Sequence, residues 1–114
     1  LAAELRTAHP GRDVGIATLD LADKAAVEAF CAELEKGEPL YGLVHNAGQP
    51  YDQLAAVMDQ AKAEAVMQIN FFAFTRLVNA VVRPMMRART GRIVAIGSVT
   101  AERSNQGNAA YGAS

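Results

Sequence analysis

One cysteine, Cys31, is all the thiol chemistry in these 114 residues. That excludes an intrachain disulfide and any four-cysteine zinc site. The two histidines, His9 and His45, form no metal-ligand spacing, so no metal is expected. Excess charge is missing as well: Lys+Arg 11 against Asp+Glu 12 leaves a formal net charge of −1. Nothing in that balance draws the chain to nucleic acid or to an anionic membrane. No uninterrupted apolar run approaches the roughly 18 residues of a membrane span. The opening LAAELRTAHPG has neither the basic start and apolar run of a signal peptide nor a transit-peptide bias. These absences lead to the expectation of a soluble, cytoplasmic chain. What remains is ordinary globular composition, 51% hydrophobic and 20% charged, at a length that allows one domain at most.

Read along its length, the chain alternates two hydrophobic periods. Leu1 to Ala8 reads as the end of a helix stopped by His9-Pro10-Gly11. Asp13 to Leu19 (DVGIATL) reads as a short strand, and Asp20-Leu-Ala-Asp23 then leads into a helix through about Glu35. That helix sets Val27, Phe30, Cys31 and Leu34 on one face, with Gly37 as its stop. Leu40 to His45 is a second strand, ending in Asn46-Ala47-Gly48. After the polar loop QPYDQ comes a long helical region from about Asp59 to Arg87, and Arg92 to Ile96 forms a third strand closed by Gly97-Ser98. Strands alternating with helices predict βαβ units and a parallel sheet. The continuous apolar runs suit strands covered on both faces.

Two apolar stripes lie side by side on the long helix: Val66, Ala73, Leu77 and Ala80, then Met67, Phe71, Phe74, Val78, Val82 and Met85. So wide an arc implies burial on two sides, against the sheet and against a neighbouring helix or a second subunit. Pro84 should kink or end the helix, since it lacks an N–H donor. Asn70 interrupts the first stripe, and a buried carboxamide needs partners for its donors and acceptor. Ser98 closes a strand, where its hydroxyl should emerge at the ligand-binding edge of an open sheet. Cys31 sits on an apolar helix face and reads as core.

The order strand, DLAD, helix, strand, NAG, long helix with Asn70, strand, Ser98, Tyr111 resembles the short-chain dehydrogenase/reductase family. More narrowly, it looks like the 3-oxoacyl-[acyl-carrier-protein] reductases, most specifically from LVHNAG at Leu43 to YGAS at Ser114. The resemblance implies a Rossmann-like, doubly wound parallel sheet, incomplete here: the first two strands and the C-terminal part of the family fold are not among the 114 residues. Residues 1–114 would be the central portion of a single dinucleotide-binding domain, from a reductase of roughly twice the length. It further implies NADPH-dependent reduction of a 3-oxoacyl thioester, with NAD not excluded as cofactor. Asn70, Ser98 and Tyr111 would be catalytic. Tyr111 would donate the proton, Ser98 would hydrogen-bond the developing alkoxide, and Asn70 would hold a water in a proton relay. The family's fourth member, a lysine, falls four residues after Tyr111, one position past Ser114.

Cofactor contacts carried over by the resemblance are Asp20 and Leu21 at the adenine ring and Asn46, Ala47 and Gly48 at the adenosine ribose, with Tyr111 at the nicotinamide end. Either Asp20 or Asp23 could instead cap the following helix; the resemblance gives Asp23 the cap and leaves Asp20 for adenine. His45 replaces the commoner Asn of that turn and reads as a packed or surface residue. Arg87, Arg89 and Arg92 favour the negative end of the helix dipole, and Arg89 matches a position where these reductases dock acyl carrier protein. A homodimer or homotetramer built on the long helix suits its apolar arc. The alternatives are a short-chain dehydrogenase acting on a sugar, steroid or small alcohol, or a non-catalytic interaction protein of the same fold.

Two absences shape the expected structure. No glycine-rich turn follows a strand within these residues, so none is present to seat a pyrophosphate. In the strand order 3-2-1-4-5-6 the three readable strands are the third, fourth and fifth. The third would then lie three inter-strand spacings, about 14 Å, from the fourth, with no backbone between to pair with. The 114 residues alone are expected neither to bind dinucleotide tightly nor to turn over.

Overall fold

The computed structural model describes residues 1–114. A short helix, α1 (Ala2–Ala8), precedes α2 (Lys24–Lys36). Asp23 starts α2 by accepting a hydrogen bond from the Ala26 N–H at 3.0 Å, the cap that an aspartate supplies at a helix start. Gly37 ends it, its N–H donating to the carbonyls of Glu33 and Leu34.

Two strands, β1 (Gly42–His45) and β2 (Arg92–Ala95), pair in parallel with Gly42 opposite Arg92 and His45 opposite Ala95. The Ile96 N–H donates to the His45 carbonyl at 2.9 Å, so the pairing reaches the expected last residue of the strand read over Arg92 to Ile96. Between the strands the chain makes a short 3-10 turn (Ala55–Val57) and then a continuous helical run, Gln60–Ala88. That run has three parts: α3 (Gln60–Met67), a π turn (Gln68–Phe72) and α4 (Ala73–Ala88). After β2, a 3-10 turn (Val99–Ala101) leads to α5 (Ala109–Ala113), which carries Tyr111.

Pro84 does not end α4, one of the two outcomes expected of it; the helix runs on to Ala88. The missing N–H removes one intrahelical bond, but Ala80, Val81 and Met85 are buried on either side of it. Packing of that face holds the turn in place. The helix stops at Arg89, whose backbone is left-handed at φ 52, a common helix end. By length and composition the 29-residue run would suffice to cross a bilayer. Here its side chains Ala73, Leu77 and Ala80 pack on Val27 and Cys31 of α2 instead.

That cluster is the core, flanked by half-buried Leu19, Leu21, Phe30, Leu34 and Leu43. The first stripe read from the sequence therefore faces α2. From the second stripe, Phe74 turns toward the sheet, its ring stacked on His45 with centroids 4.8 Å apart, while Phe71 is exposed. Burial pushes the Cys31 thiol above its ordinary pKa, which suits an unreactive core residue. Arg76 of α4 forms a two-pronged ion pair with Glu28 of α2 along the edge of this interface.

The strand expected over Asp13 to Leu19 does not form: residues 12–20 carry no ladder and Ile16 is 73% exposed. The physical cause is the gap in strand order. A strand is held by cross-strand pairs, and no neighbouring backbone stands beside this one. Leu19 still anchors its end by packing against the core. The same lack of neighbours leaves the outer face of the sheet bare, with Val44 66% exposed. Burial on both sheet faces, expected from the apolar runs, is thus realised on the α4 side only.

Candidate active site

The site grows from the two strand ends. Parallel strands β1 and β2 finish side by side, at His45 and Ala95, and each is followed by small residues, Asn46-Ala47-Gly48 and Gly97-Ser98. A cleft of about 410 Å³ opens there, lined by both turns, by Asn70 and Phe74 from the helical run, and by Tyr111 and Ser114. Its size suits a small organic ligand or part of a larger one. The lining includes no Asp, Glu, Lys or Arg.

Asn70 sits at the middle of the π turn, a local widening of the helix that often marks functional positions. Its Oδ1 accepts from the Gln49 N–H at 2.8 Å, and its Nδ2 donates to the Gln49 carbonyl at 3.0 Å and to Ser114 Oγ at 2.8 Å. Ser114 Oγ in turn donates to the Tyr111 carbonyl at 2.9 Å. One carboxamide therefore ties the turn after β1 to the helix bearing Tyr111. Both of its N–H groups are used.

Ser98 is half-buried and opens the 3-10 turn after β2. Its Oγ accepts from the Thr100 N–H at 3.3 Å and lies 2.8 Å from Thr100 Oγ1. With Thr100 as donor in the second contact, the Ser98 proton stays free to point into the cleft. Tyr111, also half-buried, lines the same space. The three residues read as catalytic from sequence thus converge with Asn46, Ala47 and Gly48.

Asp20 and Leu21 lie elsewhere, at the turn before α2. Asp20 is exposed and its Oδ1 accepts from the Ala22 N–H at 2.9 Å, so this carboxylate is partly occupied by its own turn. The Leu21 carbonyl accepts from Nε2 of buried Gln68 at 3.2 Å, which tethers the turn to the π segment. Arg89 stands at the far end of α4, 19 residues from Asn70, or about 28 Å along a helix. It lies outside the cleft, beside a shallow groove with Met86 and Arg92.

Sequence reading gave no site role to Gln68, Thr100 or Ser114. Gln68 carries a faint signal, a polar residue two before Asn70; Thr100 and Ser114 carry none without the tertiary fold. His45, read as packed or at the surface, is buried and lines the cleft. Burial pushes its imidazole below the ordinary histidine pKa, and the neighbouring Asn70 main chain offsets part of that shift.

A parallel sheet that gathers an Asn-Ala-Gly turn, a strand-end serine and a helix-borne tyrosine at its carboxyl edge defines a dinucleotide-binding α/β oxidoreductase class. The chain belongs to the short chain dehydrogenase family, whose profile matches residues 1–114. It is 37% identical over 99 residues to the 3-oxoacyl-[acyl-carrier-protein] reductase FabG of Escherichia coli K12, covering 83% of this chain and 39% of that protein. Over 115 residues it is 36% identical to Nodulation protein G of Rhizobium sp. strain N33, covering 100% of this chain and 45% of that one. Among solved structures it resembles a short-chain dehydrogenase from Sphingobium yanoikuyae in complex with NADPH, with TM-score 0.87 and 31% identity over 98% of this chain and 44% of the other. The chain spans less than half the length of each of these relatives.

The residues present fit one end of a nicotinamide dinucleotide. Small side chains at Asn46-Ala47-Gly48 and Gly97 leave main-chain groups open along the cleft. A Cβ added at Gly97 would meet no atom within 4 Å, so space remains above that turn.

Proposed function

We propose that the polypeptide carrying this segment reduces the keto group of a 3-oxoacyl thioester, with acyl carrier protein as the carrier and NADPH as the reductant. The convergence of Asn70, Ser98 and Tyr111 on one uncharged cleft at the strand ends carries this reading. Likeness to 3-oxoacyl-[acyl-carrier-protein] reductases supports the substrate class. On this reading residues 1–114 are the central part of one dinucleotide-binding domain in a cytoplasmic enzyme.

The bound nicotinamide would supply the hydride. This chain's residues handle the oxygen. Ser98, kept in place by Thr100, donates its hydroxyl proton in a hydrogen bond to the carbonyl oxygen as negative charge builds on it. Tyr111 transfers its phenolic proton to that same oxygen. Asn70 keeps the two sides of the cleft in register, because Gln49 and the Tyr111 helix share its carboxamide. A relay water would meet the remaining Oδ1 lone pair or the Asn70 main chain, since both N–H groups are committed. Asn46, Ala47 and Gly48 would cradle the ribose, while Asp20 and Leu21 would border the adenine. Arg89, exposed at the end of α4, would meet the acidic carrier, and the long helix would assemble the homodimer or homotetramer.

The test is NADPH oxidation by the full-length polypeptide, with acetoacetyl thioesters compared against sugars, steroids and small alcohols. Turnover confined to the thioesters supports the reading. Preference for a sugar or alcohol would replace the substrate while keeping the class, and the match to Nodulation protein G over 100% of this chain makes that comparison worth running. Absence of both dinucleotide binding and turnover would leave the fold as an interaction scaffold.

A further inference from the structure

Ser98 and Tyr111 belong to different elements, the turn after β2 and α5. Chemistry at one oxygen needs both at a fixed spacing, and Thr100 joins the two. On one side its N–H donates to Ser98 Oγ at 3.3 Å, and its Oγ1 lies 2.8 Å from that same atom. On the other side its carbonyl accepts from Ser104 Oγ at 2.8 Å. Ser104 Oγ in turn fills the space that a Cβ on Gly112 would take, and the Thr100 carbonyl stands 3.2 Å from that point. Gly112 directly follows Tyr111. A missing side chain thus lets the turn that carries Ser98 rest on the helix that carries Tyr111.

Proton accounting sets the direction of the two hydroxyls. Each offers one proton and two acceptor lone pairs, and Thr100 Oγ1 has no hydrogen-bond partner besides Ser98 Oγ. Were Ser98 to donate to Thr100, its proton would be spent and the Thr100 proton would have no protein acceptor. A ketone oxygen in the cleft can only accept, which fixes the order Thr100 to Ser98 to substrate. A hydroxyl that receives a hydrogen bond is polarised and donates more strongly, and that gain grows as negative charge builds on the substrate oxygen. Thr100 is half-buried and does not line the cleft, whereas Ser98, Ala101 and Tyr111 do.

We propose that Thr100 is a positioning residue: its hydroxyl donates to Ser98 and aims the Ser98 proton into the cleft, while its carbonyl, through Ser104 seated on Gly112, sets the spacing between Ser98 and Tyr111. It touches no reacting atom. The kinetic part of the proposal rests on the function proposed above.

The experiment measures steady-state kinetics of the full-length polypeptide with NADPH and an acetoacetyl thioester. Thr100→Val keeps the branched shape and the N–H but removes the hydroxyl. It should lose about 3- to 10-fold in kcat, the worth of one hydrogen bond felt in the transition state, with KM little changed. Thr100→Ser restores the hydroxyl and should recover most of that loss. In a Ser98→Ala background Thr100→Val should cost less than about twofold, because its effect passes through Ser98. Parent-like kcat in Thr100→Val, no recovery in Thr100→Ser, or the full loss in the Ser98→Ala background each overturns the aiming of Ser98. Ser104→Ala frees the Thr100 carbonyl and should lower kcat by about twofold or more at similar KM; an unchanged kcat overturns the spacing role. Should Thr100→Val fail to fold, Thr100→Ala is judged by the same criteria. If the parent turns over no thioester, the functional reading fails. Urea unfolding of Ser98→Ala, Thr100→Val and their double variant then decides the contact: non-additive midpoints uphold the hold of Thr100 on Ser98, and additive ones overturn it.

Discussion

Replacing Asn70 by alanine removes three hydrogen bonds at one stroke: from the Gln49 N–H, to the Gln49 carbonyl, and to Ser114 Oγ, at 2.8, 3.0 and 2.8 Å. A net contribution of about 0.5–1.5 kcal/mol each gives an upper range near 1.5–4.5 kcal/mol. Asn70 is half-buried rather than sealed, so water replaces part of the loss, and about 2 kcal/mol is the expected destabilisation. For a protein of about 150–250 residues that corresponds to a fall in Tm of roughly 4–8 °C. Thermal and urea unfolding of the full-length polypeptide measure it. The origin is checked by a double-mutant cycle with Ser114→Ala, where a coupling of about 0.5 kcal/mol or more is expected for side chains in direct contact. Asn70→Ala within about 0.5 kcal/mol of the parent, or strictly additive changes with Ser114→Ala, would refute the bridging role of the carboxamide.

Other perturbations read different parts of the same arrangement. Tyr111→Phe keeps the ring and removes the proton donor, and kcat should fall by about 10²–10⁴-fold while dinucleotide binding persists. Gly112→Ala would set a Cβ 2.2 Å from Ser104 Oγ and 3.2 Å from the Thr100 carbonyl. It should destabilise by about 1–3 kcal/mol, with partial relief in the Ser104→Ala background, both followed by urea unfolding. The His45 imidazole, held below its ordinary pKa by burial, makes stability pH-dependent in a fixed direction. Above about pH 6.5 the ring is neutral in both states; as pH falls below that, the unfolded chain takes up the proton first and stability is lost until the folded pKa is passed. No coulombic partner contributes to its shift, and Tyr111 is the one other titratable residue lining the cleft. Denaturant midpoints at about pH 7.5 and about pH 5.5 should therefore differ less in His45→Phe than in the parent. Equal differences would assign the acid sensitivity to other groups.

The elements legible in the sequence were those whose causes are local. Asp23 and Gly37 bound α2 through their own hydrogen bonds, and the spacing of Val27, Cys31, Ala73, Leu77 and Ala80 marks the core residues. Asp13 to Leu19 shows the limit of that logic. Its β-forming composition is genuine, yet a strand exists only against a neighbour, and composition carries no information about whether the neighbour is there. Pro84 runs the other way: a local rule allows a kink or a stop, and the helix does not stop there, because burial of the residues around it outweighs the missing donor.

The site divides along the same line. Asn70, Ser98 and Tyr111 were readable because their chemistry and separation in sequence fit a known pattern; their supports were not, because Thr100, Gln68, Ser114 and His45 act through contacts that only the folded chain creates. Gln68 and Asn70 differ in position by 2 residues. An undistorted helix would swing their side chains about 200° apart, toward nearly opposite sides. In the folded chain Gln68 reaches the Leu21 carbonyl beside α2 while Asn70 reaches Gln49 beyond β1. One short segment thus fixes both the turn before α2 and the turn after β1. The added width of the π turn lets Asn70 reach its partners while Ala73 and Leu77 stay buried against α2. Deleting Ile69 would take the extra residue out of the π turn and let the run close as a regular α-helix, with α4 beyond it near its present orientation. It should therefore part Asn70 from Gln49 and Ser114 and disturb the cleft while Ala73 and Leu77 stay buried against α2.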